Sequence, residues 1–298
     1  MSTKALDRPA PTAITVIVPR RRRRGARHYT VRALGYLVLI ILSVIAIFPF
    51  LWMLVTSLRT RSTVFGSSVI PDRLTFAAYR TAWNQVDIPR HFLISLGITA
   101  VTVAAVVFLA TLAGYSFARL TFPGKRVIYL TLLTTMMLPA TAVIVPLFLE
   151  LKQLMLINTI EGLVLVYIGT SLPFAMFLMR AFFETLPGDL SDAARVDGAG
   201  EFRIFWTVML PLAGPGVATL VIFQFMFTWN EFLLANTLVQ TPSKLPLQPV
   251  LFSLAGQYST NWPVLTAALT ISVVPIVAVY IRMQRQFVAG LTMGAVKT

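Results

Sequence analysis

The 298-residue chain contains no cysteine and only two histidines, His28 and His91. Disulfides, thiolate metal sites and cysteine nucleophiles are excluded together. The histidines flank different apolar runs, on opposite sides of the membrane in the topology derived below, so one chain cannot join them at a metal ion. Motifs that cradle phosphate are missing too. There is no G-x-S-x-G elbow, and PGKR at 123–126 lacks both the upstream glycine spacing and the Ser or Thr that follows the lysine of a phosphate loop. DGAG at 197–200 lacks the third glycine and the preceding strand of a dinucleotide site. The chain is not expected to hydrolyse ATP by itself. Acidic residues are scarce, 11 against 25 lysines and arginines.

What the chain has in excess is apolar surface. With 57% hydrophobic and 12% charged residues and a mean hydropathy of +0.78, it carries more than one soluble core could bury. Six separate stretches, 33–58, 92–118, 127–149, 162–179, 205–230 and 262–281, approach the ~20 mainly apolar residues of a spanning helix. The expected fold is an all-α integral membrane protein with six transmembrane helices, a membrane domain of residues 33–298 behind a basic tail of residues 1–32. An even number of spans leaves both termini on one side.

Positive charge concentrates on cytoplasmic segments and so reports orientation. The tail holds nine basic residues: Lys4, Arg8, Arg20 to Arg24, Arg27 and Arg32. With the tail inside, the alternate segments add Arg119, Lys125, Arg126, Arg180, Arg195, Arg203, Arg282, Arg285 and Lys297, giving 18 inside. Seven fall outside: Arg59, Arg61, Arg73, Arg80, Arg90, Lys152 and Lys244. Both termini are therefore expected in the cytoplasm. Trp52, Trp229 and Trp262 fall at outer ends and Trp206 at an inner end, as interfacial indoles do. The net charge of +14 and the RRRRR run at 20–24 raise nucleic acid as a partner. The basic residues crowd just before the first span, where they set topology and meet anionic membrane lipid, so nucleic acid is not expected. The rest of the tail has a disordered composition. The apolar run behind it is longer than a signal-peptide core and lacks a small-residue cleavage pattern, so it is read as an anchor.

Within the predicted spans ionisable groups are almost absent. Ion-coupled carriers hold such groups near mid-membrane, so an external energy source is indicated here. Glu231, in TWNEF, lies just past the fifth span and has two readings, hydrogen bonding within the bundle or substrate contact. Aromatic faces and hydrogen-bonding side chains also make Tyr167, Trp229 and Asn230 candidates for a substrate path beside Glu231; each reads equally as a packing residue. Pro49, Pro139, Pro146, Pro173, Pro211, Pro215 and Pro275 fall inside or at the ends of spans. Each removes a helical hydrogen bond, which suits either a cavity that opens and closes or simple packing irregularity. Ala110, Gly114 and Ala118 follow the small-xxx-small spacing of a face that packs closely on another helix.

One window collects much of the scarce acid. Four of the 11 acidic residues, Asp189, Asp192, Asp197 and Glu201, lie in LPGDLSDAARVDGAGEFRIFWTVMLP, residues 186–211, on the cytoplasmic side between spans four and five. Pro187 and Gly188 stop the preceding helix. Asp189 can cap a new short helix whose first turn carries Asp192, where negative charge meets the positive helix end. Ala194 and Gly198, four apart, would share a face that a partner could approach closely, with Asp192, Arg195 and Asp197 projecting nearby. Gly198 and Gly200 then break the helix before the chain re-enters the membrane. The plain alternative is a solvated loop, but caps, small residues and charges co-occur here without an apolar stripe.

The order Asp192-Ala193-Ala194, three residues, Gly198, nine residues, Val208, one residue, Leu210-Pro211 resembles the EAA loop of binding-protein-dependent ABC transporter permeases. LAGYSFARLTFPGK, TWNEFLLA and QRQFVAGLTMGAVKT extend the resemblance to the carbohydrate-uptake, MalG-like branch over most of the chain, the N-terminal ~30 residues excepted. The resemblance implies a type I ABC importer permease fold in which a coupling helix of the loop at 186–211 seats in an ATPase subunit, with Asp192, Ala193, Ala194, Arg195, Asp197 and Gly198 as contacts. Asp192 stands where the family more often has Glu. It also implies two ATPase subunits that carry ATP and Mg, a second homologous permease subunit and an extracytoplasmic sugar-binding protein, with no cofactor on this chain. The segment GLTMGAVKT resembles a tail reaching toward the ATPase pair, and residues 236–261 an outer loop that enters the binding protein. The rival classes are an ion-coupled secondary transporter, disfavoured by the lack of intramembrane charge, and a non-transporting scaffold, which would have no use for the loop pattern.

Overall fold

The computed structural model describes residues 26–66, 73–256 and 260–295, without the side chains of 26–31, 140 and 286–295. The arginine run, residues 257–259 of the outer segment and the last three residues lie outside this description. The described residues form helices and turns, with no strand among them. In chain order the helices are α1 (Ala26–Ser57), α2 (Ala77–Asn84), α3 (Ile88–Arg119), α4 (Lys125–Thr135), α5 (Ala140–Gln153), α6 (Ile160–Thr185), α7 (Asp189–Val196) and α8 (Glu201–Ile204). After a π-helical turn at Phe205–Met209 come α9 (Leu210–Leu212), α10 (Gly214–Asn230), α11 (Leu233–Leu238), α12 (Leu247–Leu254) and α13 (Trp262–Ala295). The chain divides into two units at residue 50. The first contains the start of α1, whose apolar side chains from Leu34 to Phe50 are exposed, as expected of a helix solvated by lipid.

The second unit packs around α3. Three buried clusters hold the bundle together, and α3 contributes to each: Ile88 beside Trp229 and Ala268, Ile98 beside Tyr167 and Leu238, and Val106 to Tyr115 beside Met179 and Phe205. Its tightest neighbour is α6. A β-carbon placed on Gly114 would lie 2.6 Å from the Met179 Cβ and 2.8 Å from the Arg180 backbone nitrogen, so the two helix backbones meet where glycine alone fits. Ala110, one turn earlier, is fully buried. The small-residue face read from the sequence is this interface. Lipid tails are as apolar as leucine, so close backbone packing, rather than escape from water, drives such a contact.

Four stretches are long and apolar enough to cross a membrane: Arg32–Ser57, Ile88–Arg119, Ile160–Thr185 and Trp262–Arg285. These correspond to predicted spans one, two, four and six. Span three is not one helix. Pro139, which has no N–H to return to the preceding turn, stands between α4 and α5, and Met136, Met137 and Leu138 instead bond three residues back in tight turns. Span five is also shorter than expected. The stretches Glu201–Leu212 and Gly214–Asn230 meet at 76°, at a junction flanked by Pro211 and Pro215, so residues 205–212 form an elbow before the straight helix α10. If that bent pair is one span, the described residues hold five.

Replacing Gly114 with alanine should force α3 and α6 apart or distort them, at a cost of about 1–3 kcal/mol for overpacking. Thermal unfolding of the purified protein should show the loss. Gly97→Ala on the same helix, where an added β-carbon meets nothing within 4 Å, should leave stability unchanged.

Candidate functional site

Helix α7 is short because its ends are set by backbone chemistry. Gly188 occupies the N-cap, and Asp189 is the first helical residue, with Asp192 also in the first turn. The capping role expected of Asp189 thus falls to Gly188, and no side chain bonds the helix start. At the other end Gly198 adopts φ +80°, and the Gly198 and Ala199 N–H groups bond the Arg195 and Ala194 carbonyls. This is the reversed, left-handed helix stop that glycine supplies without strain. Gly198 therefore ends α7 rather than sharing a helical face with Ala194.

The loop has an inner and an outer side. On the inner side Ser191, 2% exposed, donates to the Met209 sulfur, and Ala194 packs at the edge of the cluster containing Phe205 and Met209. Two of the four acidic residues bond within the chain. The Arg195 Nη1 donates to Asp192 Oδ1 at 2.6 Å and its Nε to Glu201 Oε1 at 2.7 Å, while Tyr115 Oη donates to Glu201 Oε2 at 2.9 Å. The hydrogen bond to Glu201 raises the Arg195 pKa above its ordinary value. On the outer side Ala193, Val196, Asp197 and Gly198 are exposed, Val196 to 89%, and Phe202 follows at 73%. Among the described residues Asp189 and Asp197 enter no ion pair.

The residues considered for the substrate path lie at the other end of α10 and separate by role. Tyr167 and Trp229 are each 2% exposed. Tyr167 Oη donates to Glu231 Oε2 at 2.6 Å, and the same carboxylate accepts the Leu234 and Ala235 N–H groups at 2.7 and 3.0 Å. Glu231 thus satisfies the free donors at the start of α11. Of its two readings, the geometry matches hydrogen bonding within the bundle. Trp229 stacks on Phe225 at 5.7 Å and donates Nε1 to the Ser272 carbonyl at 3.1 Å, an anchor between α10 and α13. Asn230 alone of the four is exposed, its amide donating to the Met226 carbonyl. The outer segment is braced rather than loose. Asn158 Oδ1 accepts the Gln240 and Thr241 N–H groups, and His91 Nδ1 donates to the Leu245 carbonyl at 2.7 Å.

Sequence reading passed over Tyr115 and Arg119, which stand one turn apart at the end of α3. Their signal is local: polar residues in LAGYSFARLTFPGK beside the small-residue face that the same reading had already assigned to helix packing.

Comparison with known proteins places this geometry in a lineage. Residues 106–293 match the family described as binding-protein-dependent transport system inner membrane component. The chain belongs to that family. It is 37% identical over 265 residues to the diacetylchitobiose uptake system permease protein NgcG of Streptomyces coelicolor, covering 88% of each chain. It is also 37% identical over 254 residues to the trehalose transport system permease protein SugB of Mycobacterium tuberculosis, covering 85% of this chain and 93% of that one. The fold matches a crystal structure of a bacterial ABC transporter that imports the polysaccharide alginate, with a TM-score of 0.77 and 24% identity, over 88% of this chain and 98% of that one.

Glu231→Ala removes the acceptor of two backbone amides and of the buried Tyr167 hydroxyl, and should destabilise by about 2–3 kcal/mol, the scale for hydrogen bonds to a charged group. Thermal unfolding checks it. An unchanged melting temperature with lost transport would return Glu231 to the substrate path.

Proposed function

We propose that this chain is one of two membrane halves of a carbohydrate importer, moved by ATP bound and hydrolysed on partner subunits. In this reading it crosses a bacterial inner membrane six times, α4 with α5 and the elbow with α10 completing the spans, and both termini face the cytoplasm. A second, homologous permease subunit lines the pathway with it, and an extracytoplasmic binding protein delivers the sugar. The two ATPase subunits carry ATP and Mg. Their closure displaces α7 and the helices joined to it, so that the pathway faces alternately out and in. The substrate class rests on relatives named for diacetylchitobiose, trehalose and galactooligosaccharides.

The observation that carries the coupling role is the outer side of α7. Val196 projects almost fully exposed from a helix bearing unpaired Asp189 and Asp197, with Ala193 small enough to let a partner surface approach. Docking would bury Val196 and place charge-assisted hydrogen bonds at the rim. Asp192, Ala193, Ala194, Arg195, Asp197 and Gly198 keep their proposed place in this contact with different parts to play. Ala193 and Asp197 face the partner, Arg195 and Ala194 hold the helix to its own chain, and Gly198 shapes the stop. Asn230 is the substrate-path residue best placed to meet a solute.

Val196→Glu should leave stability within about 0.5 kcal/mol, because the side chain is 89% exposed. It should also strip the ATPase subunits from the tagged permease, since a charge buried at an interface without a partner costs several kcal/mol. Full ATPase retention at normal abundance would remove the docking role from this face. Gly198→Glu is a poorer probe, because any side chain there strains the φ +80° backbone whatever it meets. Topology is separately accessible in a chain without native cysteine. In the permease expressed without its ATPase subunits, a cysteine at Val196 should react with impermeant maleimide only from the cytoplasmic side, and one at the exposed Ser243 only from outside. Labelling of both from one side would overturn the six-span topology.

A further inference from the structure

The coupling loop is gripped at both of its stems by a single turn of α3. Arg119, at the end of α3, donates Nη2 to the Phe183 carbonyl at 2.7 Å and also to the Leu186 carbonyl, the last groups before the loop. Its other terminal nitrogen lies 3.5 Å from where a β-carbon on Gly188, the N-cap of α7, would stand. Tyr115, one turn earlier, reaches the outgoing stem by its hydroxyl on Glu201 at 2.9 Å. Its ring packs on Phe183 at 5.6 Å and on Phe205 at 5.2 Å, one aromatic from each stem. Glu201 passes the connection to α7 through Arg195. None of these bonds is needed to stop the short helix itself, whose last carbonyls the backbone already satisfies.

We infer that Tyr115 and Arg119 are positioning residues that lock the coupling helix to α3, so that the push delivered at α7 moves α3 as one body with it. The inference rests on the coupling role proposed for α7 and names the span that receives the motion. Helices joined only by a flexible loop transmit little displacement; a loop held at entry and exit by the same turn becomes a rigid arm. The grip combines hydrogen bonds to charged groups with buried aromatic contact, and both resist shear better than apolar sliding surfaces. The close approach at Gly114, next in sequence to Tyr115, then carries α6 with the same body.

The test uses the assembled transporter in lipid nanodiscs, with spin labels on introduced cysteines and a non-hydrolysable Mg-bound ATP analogue as the probe. One pair joins Leu190 on α7, outside the proposed contact, to Val101 on α3, and a second joins Leu190 to Val277 on α13; all three positions are exposed. In the wild-type background the nucleotide should shift the Leu190–Val277 distance by roughly 2 Å or more, the scale of helix shifts in switching proteins, and leave Leu190–Val101 unchanged. In Tyr115→Phe/Arg119→Gln the Leu190–Val101 distance should shift with nucleotide while the ATPase subunits stay bound. Tyr115→Phe alone keeps the ring packing and should give the same response in part, which covers a double variant that fails to fold. A Leu190–Val101 distance that responds to nucleotide in the wild type, or stays fixed in both variants with ATPase retained, overturns the inference. Absence of any Leu190–Val277 shift in the wild type, or failure of ATPase subunits to bind it, overturns the coupling role itself and the inference with it.

Discussion

The contact between α3 and α6 at Gly114 is the constraint on which the other features depend. With a virtual β-carbon 2.6 Å from the Met179 Cβ of the facing helix, the two backbones meet where no side chain fits between them. That proximity brings the end of α3 beside the last turn of α6, where Arg119 meets the Phe183 and Leu186 carbonyls and Tyr115 meets the Phe183 ring. Farther from the loop, the same helix pair places Ile98 against Tyr167, and through Glu231 the start of α11. A wider spacing at one glycine would therefore loosen both ends of the bundle. In lipid this matters more than in water, because no hydrophobic pressure draws the helices back together.

Polar groups inside such a bundle must be satisfied by the chain, and the few present are used economically. Gln224 donates to Ser171 and Thr228 between α10 and α6. Ser95 accepts the Leu247 N–H, and Glu231 serves three donors with one carboxylate. These groups tie helix ends and turns to one another. The chain belongs to a family of binding-protein-dependent transport components, and this polar bracing helps hold its helices together.

Much of this was legible in the sequence where the signal was local. Four long spans, the small-residue face at Ala110, Gly114 and Ala118, and a short helix opening near Asp189 all follow from periodicity, composition and helix-stop chemistry. The errors came where two local readings compete or where the partner is distant. Pro139 was counted as a tolerable irregularity within a span, yet it stands where the helix breaks, because Met136 to Leu138 turn tightly just before it. Gly198 satisfied the spacing of a helical face and the chemistry of a helix stop, and the stop won. Tyr115 and Glu201 are 86 residues apart, and no pattern in one sequence joins them. Asp192, read as projecting toward a partner, is held by its own Arg195, and Glu201 is committed inward.

That division explains the window's composition better than attraction to a partner alone. The exposed apolar residues of α1 and of the α3 flank are ordinary for surfaces that lipid covers. Val196 cannot be covered in that way, because Asp189, Asp192 and Asp197 surround it within two turns, and carboxylates are expelled from hydrocarbon. Water would accept the aspartates but gains nothing from the valine. A protein surface accommodates both, burying the apolar centre and pairing the charged rim. For such a surface to do mechanical work, the helix that meets it must not rotate freely on its own stems. Arg195, Glu201 and Tyr115 bond α7 and its outgoing stem to α3 from the inner side, which is the geometry that the proposed coupling role requires.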